Sequence, residues 1–260
     1  MKLEVRDLEV WFGDRQVVAV EALDLDRGQT LGIAGETGSG KSMTAYAIAG
    51  LAPGMGARVA GSVKLDGREL IGLTDGELRE IRGRRIAMIF QAPISSLNPV
   101  FRVGDVFLRA LRLHGASKAQ ARERAAVAMR SVALSPDLLR RYPHQLSGGQ
   151  AQRVAIALAV ALRAEVLIAD EPTSALDVTV QAEILEVLQE LRAEEGIATL
   201  FISHDLAVVA GLCDSVAVMR DGRVVEQGPV ARTLHQPVHP YTRELLGAVP
   251  RLREAEDADA

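Results

Sequence analysis

The residues Gly35-Glu36-Thr37-Gly38-Ser39-Gly40-Lys41-Ser42 fill every fixed position of the pattern G-x-x-x-x-G-K-[ST]. Glycines in that arrangement let successive backbone N–H groups turn inward around a phosphate chain. The helix that follows the loop adds the partial positive charge of its N-terminus. The Lys41 ammonium then reaches the β- and γ-phosphates, and the Ser42 hydroxyl is a ligand for Mg2+. A second group complements the first: Val166-Leu167-Ile168-Ala169-Asp170-Glu171 is an apolar run ending in two carboxylates. Successive side chains of a strand diverge, so the two acids take different tasks. Asp170 holds the metal, usually through water, and Glu171 polarises a water for in-line attack on the γ-phosphate. A third group, Leu146-Ser147-Gly148-Gly149-Gln150, pairs a serine cap with two glycines at a helix start. That exposes N–H donors and makes a second anion site. Two such sites in one chain suggest that they do not serve the same nucleotide within one monomer.

These groups need elements to hold them. Thr30 to Ala34 reads as a short apolar strand ahead of the glycine loop, and Met43 to Leu51 as the helix after it. Before them, Leu3, Val5, Leu8 and Val10, then Val17 to Leu25, form extended segments. Val59 to Leu65 followed by Asp66-Gly67 signals a hairpin, and Ile86 to Phe90 is a further buried strand. From about 93 to 165 helices dominate. Ser117 with Gln120 is a capping box before an Ala-rich helix, Ser135-Pro136 opens a short helix, and Ser147 with Gln150 repeats the capping box. Then come strands at Val166–Ala169, Ala198–Ile202 and Val216–Met219. A helix with Val180, Ile184, Leu188 and Leu191 on one face lies between the first two. Strands alternating with helices imply a mostly parallel sheet covered on both faces.

Composition sets bounds on function. The 260 residues hold 34 Asp and Glu against 30 Lys and Arg, a net charge of −4. No global basic field therefore draws nucleic acid or anionic lipid. Aromatics are 3%, too few for a stacking surface along single-stranded nucleic acid. The single cysteine, Cys213, excludes an internal disulfide framework or a multi-thiolate zinc site. There is no apolar leader at Met1, and the longest apolar run, Val154 to Leu162, is about half a membrane span. A cytoplasmic, non-secreted protein is expected. The acidic, Ala-rich stretch Arg251 to Ala260 reads as a frayed tail.

Leu146-Ser147-Gly148-Gly149-Gln150, twenty residues before Asp170, resembles the signature of the ATP-binding subunits of ABC transporters. The resemblance runs through about Pro250. It implies a P-loop NTPase core of α/β class with an N-terminal antiparallel β subdomain and an inserted α-helical subdomain. The corresponding ranges are 1–92 and 163–235 for the core, 93–162 for the helical subdomain and 236–260 for a C-terminal tail. It also implies ATP and Mg2+ as cofactors, and two subunits packed head to tail so that Ser147, Gly148, Gly149 and Gln150 complete the partner's phosphate loop. By the same resemblance Gln91 contacts Mg2+ and the attacking water, His204 contacts the γ-phosphate, and Ser174-Ala175-Leu176-Asp177 crosses the dimer interface. Phe12 looks like the aromatic that stacks on adenine, with Trp11 the competing candidate.

Gly83-Arg84-Arg85-Ile86-Ala87-Met88-Ile89-Phe90-Gln91, Ser95-Ser96-Leu97-Asn98-Pro99-Val100 and His239-Pro240-Tyr241-Thr242-Arg243-Glu244-Leu245-Leu246 are similar to the dipeptide, oligopeptide and nickel importers of that family. Ala92 and Ala151 depart from the branch pattern without touching a phosphate or metal role. Many relatives carry a C-terminal cysteine cluster for an iron–sulfur centre; Cys213 alone does not support carrying that cofactor over. The expected activity is ATP hydrolysis that powers import of peptides or a related small solute. The partners would be a second ATP-binding subunit, membrane permeases and, indirectly, a solute-binding protein, with no nucleic acid. The place of work would be the cytoplasmic face of the membrane. A segment from about 92 to 110 would form part of a groove for a permease helix; Val100, Phe101, Val103, Val106 and Phe107 are apolar enough to contribute, and core packing within the subdomain explains several of them equally well. An ATPase subunit of a phosphonate-degrading complex is the alternative, and a non-hydrolysing nucleotide sensor a third reading.

Overall fold

In the computed structural model, β1 (Lys2–Phe12) buries Leu3 and Val5, then Leu8 and Val10, and so changes phase once along its length. The cause is a bulge. Asp7 adopts a left-handed backbone, φ 47°, and the pairing with β4 (Arg58–Leu65) shifts between Arg6 and Glu9. One extra residue returns the apolar side chains to the same face. Opposite the bulge, Gly61 is needed for close approach, because a Cβ there would stand 2.1 Å from the Asp7 carbonyl oxygen. The structure describes residues 2–91, 97–174 and 176–248. They fall into two compact units, 1–73 with 198–260, and 74–197.

The first unit is built on one sheet. β1 pairs antiparallel with β2 (Arg15–Asp26) and with β4, and β5 (Arg68–Glu69) closes the hairpin with β4. β3 (Thr30–Ala34) lies parallel between β8 (Ala198–Ser203) and β9 (Ser215–Arg220), and β9 turns back antiparallel into β10 (Arg223–Pro229). β10 meets β2 in parallel, so the antiparallel and parallel parts are continuous. Every residue of β3 and of β8 is buried, as expected of strands covered on both faces. α1 (Lys41–Ile48) follows β3, and α7 (Leu206–Leu212) follows β8. α7 seats closely because residue 32 is glycine: a Cβ there would stand 2.8 Å from Val209 Cγ1 and 3.1 Å from Cys213 Sγ. Cys213 is thus a small buried packing residue. The unit is completed by α8 (Val230–His235) and α9 (Pro240–Gly247).

The second unit opens with α2 (Asp75–Ile81), whose N-terminus is closed by a Thr74–Glu77 capping box. β6 (Ile86–Ile89) then pairs in parallel with β7 (Val166–Asp170). Between these strands stand α3 (Val103–Leu113), α4 (Lys118–Ser131) and α5 (Gly148–Leu162), which pack on one another. Val103, Phe107 and Leu111 of α3 are buried, as are Ala121, Ala125, Ala128 and Met129 of α4. Alanine on the facing stripe lets these helices approach closely. α6 (Val178–Glu195) follows β7, buries Ile184, Leu188 and Leu191, and ends at Gly196 in the left-handed region.

The apolar residues proposed for a permease groove divide in two. Val103 and Phe107 belong to the core, whereas Val100 is 72% exposed and Phe101 lies beneath the Arg109 guanidinium, 3.7 Å from its ring centroid. Ala92 to Ser96, Ala175 and the tail beyond residue 248 lie outside the described residues. Among the described residues no helix is long and apolar enough to cross a membrane.

Candidate nucleotide site

In the first unit the chain leaves the buried end of β3 into the glycine loop. Gly35, Gly38 and Gly40 have φ values of 149°, 85° and 100°, a backbone region in which L side chains are strained. At Gly35 a Cβ would also stand 2.2 Å from the Met219 carbonyl oxygen. Gly40 is the residue at the start of α1 and has no side chain to cap its first turn. Lys41 is buried, and its Nζ donates to the carbonyls of Gly35 and Glu36, both at 2.7 Å. A buried ammonium needs such oxygen partners, and the same reach would carry it to phosphate oxygens. Ser39 Oγ is buried without a partner among the described residues.

The turn between β9 and β10 buttresses this loop. Gly222 donates its N–H to the Ser39 carbonyl at 3.0 Å, and its own carbonyl accepts from Ala19 at 2.7 Å. Asp221-Gly222 thus both turns the chain from β9 into β10 and supports the glycine loop. His204 is exposed immediately after β8. Because Ala34 pairs with Ser203, His204 and the first glycine of the loop leave adjacent strands at the same level. They lie at the carboxyl ends of parallel strands, the edge where α/β sheets bind ligands.

The aromatic candidates differ in their partners. The Trp11 ring lies beneath the Arg58 guanidinium, 5.1 Å from the centroid, and its Nε1 donates to Glu9 at 3.4 Å. Phe12, one residue on, pairs across the turn with Arg15 and is half-buried.

In the second unit Asp170 ends β7 and is 1% exposed. Glu171, the next residue, has φ 46°. A glutamate there costs about 1 kcal/mol of local strain. The pairing of Ile89 with Ala169 places Gln91 beside Glu171, and Gln91 Nε2 donates to Glu171 Oε2 at 2.9 Å. With Nε2 so engaged, the Gln91 oxygen is the atom turned to other partners. The Glu171 carbonyl accepts the Ser174 amide at 3.3 Å and hydroxyl at 3.2 Å, and Asp177 caps α6 by accepting from Val180 at 3.0 Å.

The Ser147 cap is a reciprocal capping box, with Gln150 N–H donating to Ser147 Oγ at 3.3 Å and Ser147 N–H to Gln150 Oε1 at 3.2 Å. Ser147 and Gly148 are exposed and Gly149 is buried. A Cβ on Gly149 would stand 2.5 Å from Val180 Cγ1 of α6, so this glycine is required for helix packing. Arg153 and Glu183 tie the same two helices with an ion pair.

A glycine loop closed on a buried lysine, together with an apolar strand ending in adjacent aspartate and glutamate, defines a P-loop ATPase. The class is further narrowed by comparison. Residues 20–174 match the ABC transporter family and residues 225–260 the oligopeptide/dipeptide transporter C-terminal region. The chain belongs to the ABC transporter ATP-binding family. It is 50% identical over 265 residues to the oligopeptide transport ATP-binding protein OppD of Salmonella typhimurium, covering 99% of this chain and 78% of that one. The glutathione import ATP-binding protein GsiA of the same organism is 49% identical over 92% of this chain and 40% of its own. Among solved structures, the ATP-binding cassette MJ0796, a dimer in a post-hydrolysis state bound to ADP and Pi, superimposes with a TM-score of 0.77 at 28% identity, covering 88% of this chain and 98% of that one. CbiO1 of Clostridium perfringens, part of an ABC transporter complex, has a TM-score of 0.79 at 27% identity over 98% of each chain. The α/β P-loop fold and the ATPase class anticipated from the motifs stand.

Proposed function

We propose that this chain binds MgATP on the Gly35–Ser42 loop and hydrolyses it to drive import of a peptide or related small solute. The observation that carries this reading is the buried Lys41 ammonium, held by two carbonyls of the loop it closes. In the proposed site Lys41 neutralises the β- and γ-phosphates, and Phe12 stacks on adenine because Trp11 is already engaged by Arg58. His204 contacts the γ-phosphate from the end of β8. Ser42, Asp170 and Gln91 would be the residues that hold Mg2+, since each can offer the hard oxygen donor this ion takes. The metal, when bound, would neutralise charge on the β- and γ-phosphates. Glu171 is the base: its carboxylate, oriented by Gln91, accepts the proton of the attacking water.

Ser147, Gly148, Gly149 and Gln150 would act on a partner's nucleotide. Their exposed N-terminal end of α5 offers N–H donors to a γ-phosphate presented by a second subunit packed head to tail. ATP would thus close the dimer and hydrolysis reopen it. Permease subunits would carry the membrane spans and place the cassette at the cytoplasmic face, with a solute-binding protein acting indirectly. The transport reading is favoured over phosphonate degradation because the relatives at about half identity are named for oligopeptide and glutathione import. The test is ATP binding and phosphate release by the purified chain, beside Lys41→Ala, followed by ATP-dependent peptide uptake in vesicles holding the chain with its co-purified permeases. Equal ATP affinity in Lys41→Ala would overturn the site; robust hydrolysis without peptide uptake would overturn the transport role.

A further inference from the structure

Tyr241 stands at the start of α9 and is 2% exposed. Its hydroxyl oxygen accepts the Glu36 amide of the glycine loop at 3.2 Å, across a sequence separation of 205 residues. The N–H of Glu36 and the carbonyl of Gly35 belong to one peptide group, and that carbonyl accepts from Lys41 Nζ at 2.7 Å. A trans peptide is planar, with its N–H and C=O pointing opposite ways. Tyr241 on one side and Lys41 on the other therefore fix the orientation of this plane. Turning it would break both contacts.

Contacts to the ring and to the backbone before it hold Tyr241 in place. The Arg220 guanidinium lies 4.7 Å from its centroid. The Tyr241 N–H donates to His239 Nδ1 at 3.2 Å. The Glu226 carboxylate accepts the amides of Val238 at 2.8 Å and His239 at 3.0 Å, and Arg243 donates to the carbonyls of Pro237 and Val238, both at 3.1 Å. Burial pushes the Tyr241 phenol above its ordinary value, so it stays neutral at physiological pH. An exposed tail would need none of these anchors.

We propose that Tyr241 is a positioning residue for nucleotide binding. Its hydroxyl holds the Gly35–Glu36 peptide so that the Gly35 carbonyl faces Lys41, which sets where the ammonium rests and the loop shape that receives phosphate. The proposal rests on the reading of this loop as the ATP site. It gives the C-terminal segment, matched separately from the cassette, a direct physical connection to that loop.

Tyr241→Phe keeps the ring and its Arg220 contact and removes one oxygen. Equilibrium titration of the full chain with MgATP should show a Kd, and a KM, raised about five- to tenfold. The kcat at saturating ATP should stay within about twofold, because the reacting groups are untouched. A folded Tyr241→Phe protein with wild-type Kd and KM would overturn the proposal, as would a fall in kcat at unchanged KM. Wild-type chain that binds no ATP would overturn the ATP reading itself, a distinct failure. Should Tyr241→Phe fail to fold, amide hydrogen exchange at Glu36 in the wild-type chain decides: protection supports the contact, and exchange at the rate of an open loop overturns it.

Discussion

Gln91 Nε2 donates to Glu171 Oε2 at 2.9 Å, joining the loops that leave the parallel strands β6 and β7 two residues beyond the paired Ile89 and Ala169. The strand register sets these two side chains level with one another, and Glu171 takes a left-handed backbone, φ 46°, where the chain turns away from β7. Local strain is retained at the residue proposed as the base.

Glu171→Gln preserves the size of the side chain and removes its basicity. Phosphate release should fall about 100-fold or more, while ATP affinity stays near wild type, as measured by titration beside a turnover assay. Near-normal turnover would remove Glu171 from the chemistry. Glu171→Gly should be equally inactive yet no less stable in thermal unfolding, since glycine enters this backbone region at about 1 kcal/mol less strain, offsetting its greater freedom when unfolded.

Gly149→Ala should destabilise the second unit, because the new Cβ would meet Val180 Cγ1 at 2.5 Å. Overpacking of this size costs about 1–3 kcal/mol. Trimming the neighbour in Gly149→Ala/Val180→Ala should recover most of that loss. A double variant no more stable than Gly149→Ala, in denaturant titrations of both, would show that the glycine is needed for another reason.

Gly222→Ala joins two penalties: a left-handed φ of 79° and a Cβ placed 2.5 Å from the Val17 carbonyl oxygen. Backbone cannot swing aside as a side-chain tip can, so a loss of about 2 kcal/mol or more is expected. The Gly222 N–H holds Ser39 of the glycine loop, and ATP affinity should weaken with stability. Unchanged melting temperature and affinity would contradict the buttress.

Glu69 provides a pH test remote from the site. Burial raises its proton affinity, but the Ser62 hydroxyl and the amides of Ile71, Val63 and Leu70 outweigh burial and hold the carboxyl below its ordinary value. A depressed folded value means that stabilisation is full above the unfolded value and lost as pH falls through the folded one. Wild type should therefore exceed Glu69→Gln by about 1 kcal/mol at neutral pH, given partial exposure. The gap should close as the medium is acidified below the folded value. A gap constant from pH 7 to pH 3 would exclude the charged hydrogen bonds as its source.

Much of this molecule was legible in its local pattern. The capping boxes at Ser117 and Ser147 formed where the serine-to-glutamine spacing placed them, since a cap involves residues only a few positions apart. The short, mostly apolar runs at Thr30–Ala34 and Ala198–Ile202 became buried parallel strands. The same spacing in Thr74 and Glu77 was equally readable and marks α2, but its short helix lacks the long apolar stripe that draws notice. Val103 and Phe107 read as groove candidates from hydropathy; the structure puts them in the core, because one helical face buries every third or fourth residue.

By itself, the order of residues determined the glycine loop, the acidic strand end, the caps and the family, because each is written in contiguous or nearly contiguous chemistry. Only the tertiary structure decided that Tyr241 reaches Glu36, that Gly222 supports Ser39 and that Gln91 meets Glu171. Those contacts join residues far apart in the chain. They depend on strand order, register and left-handed backbone turns, which are set by packing of the whole unit and leave no periodic trace in the residues they connect.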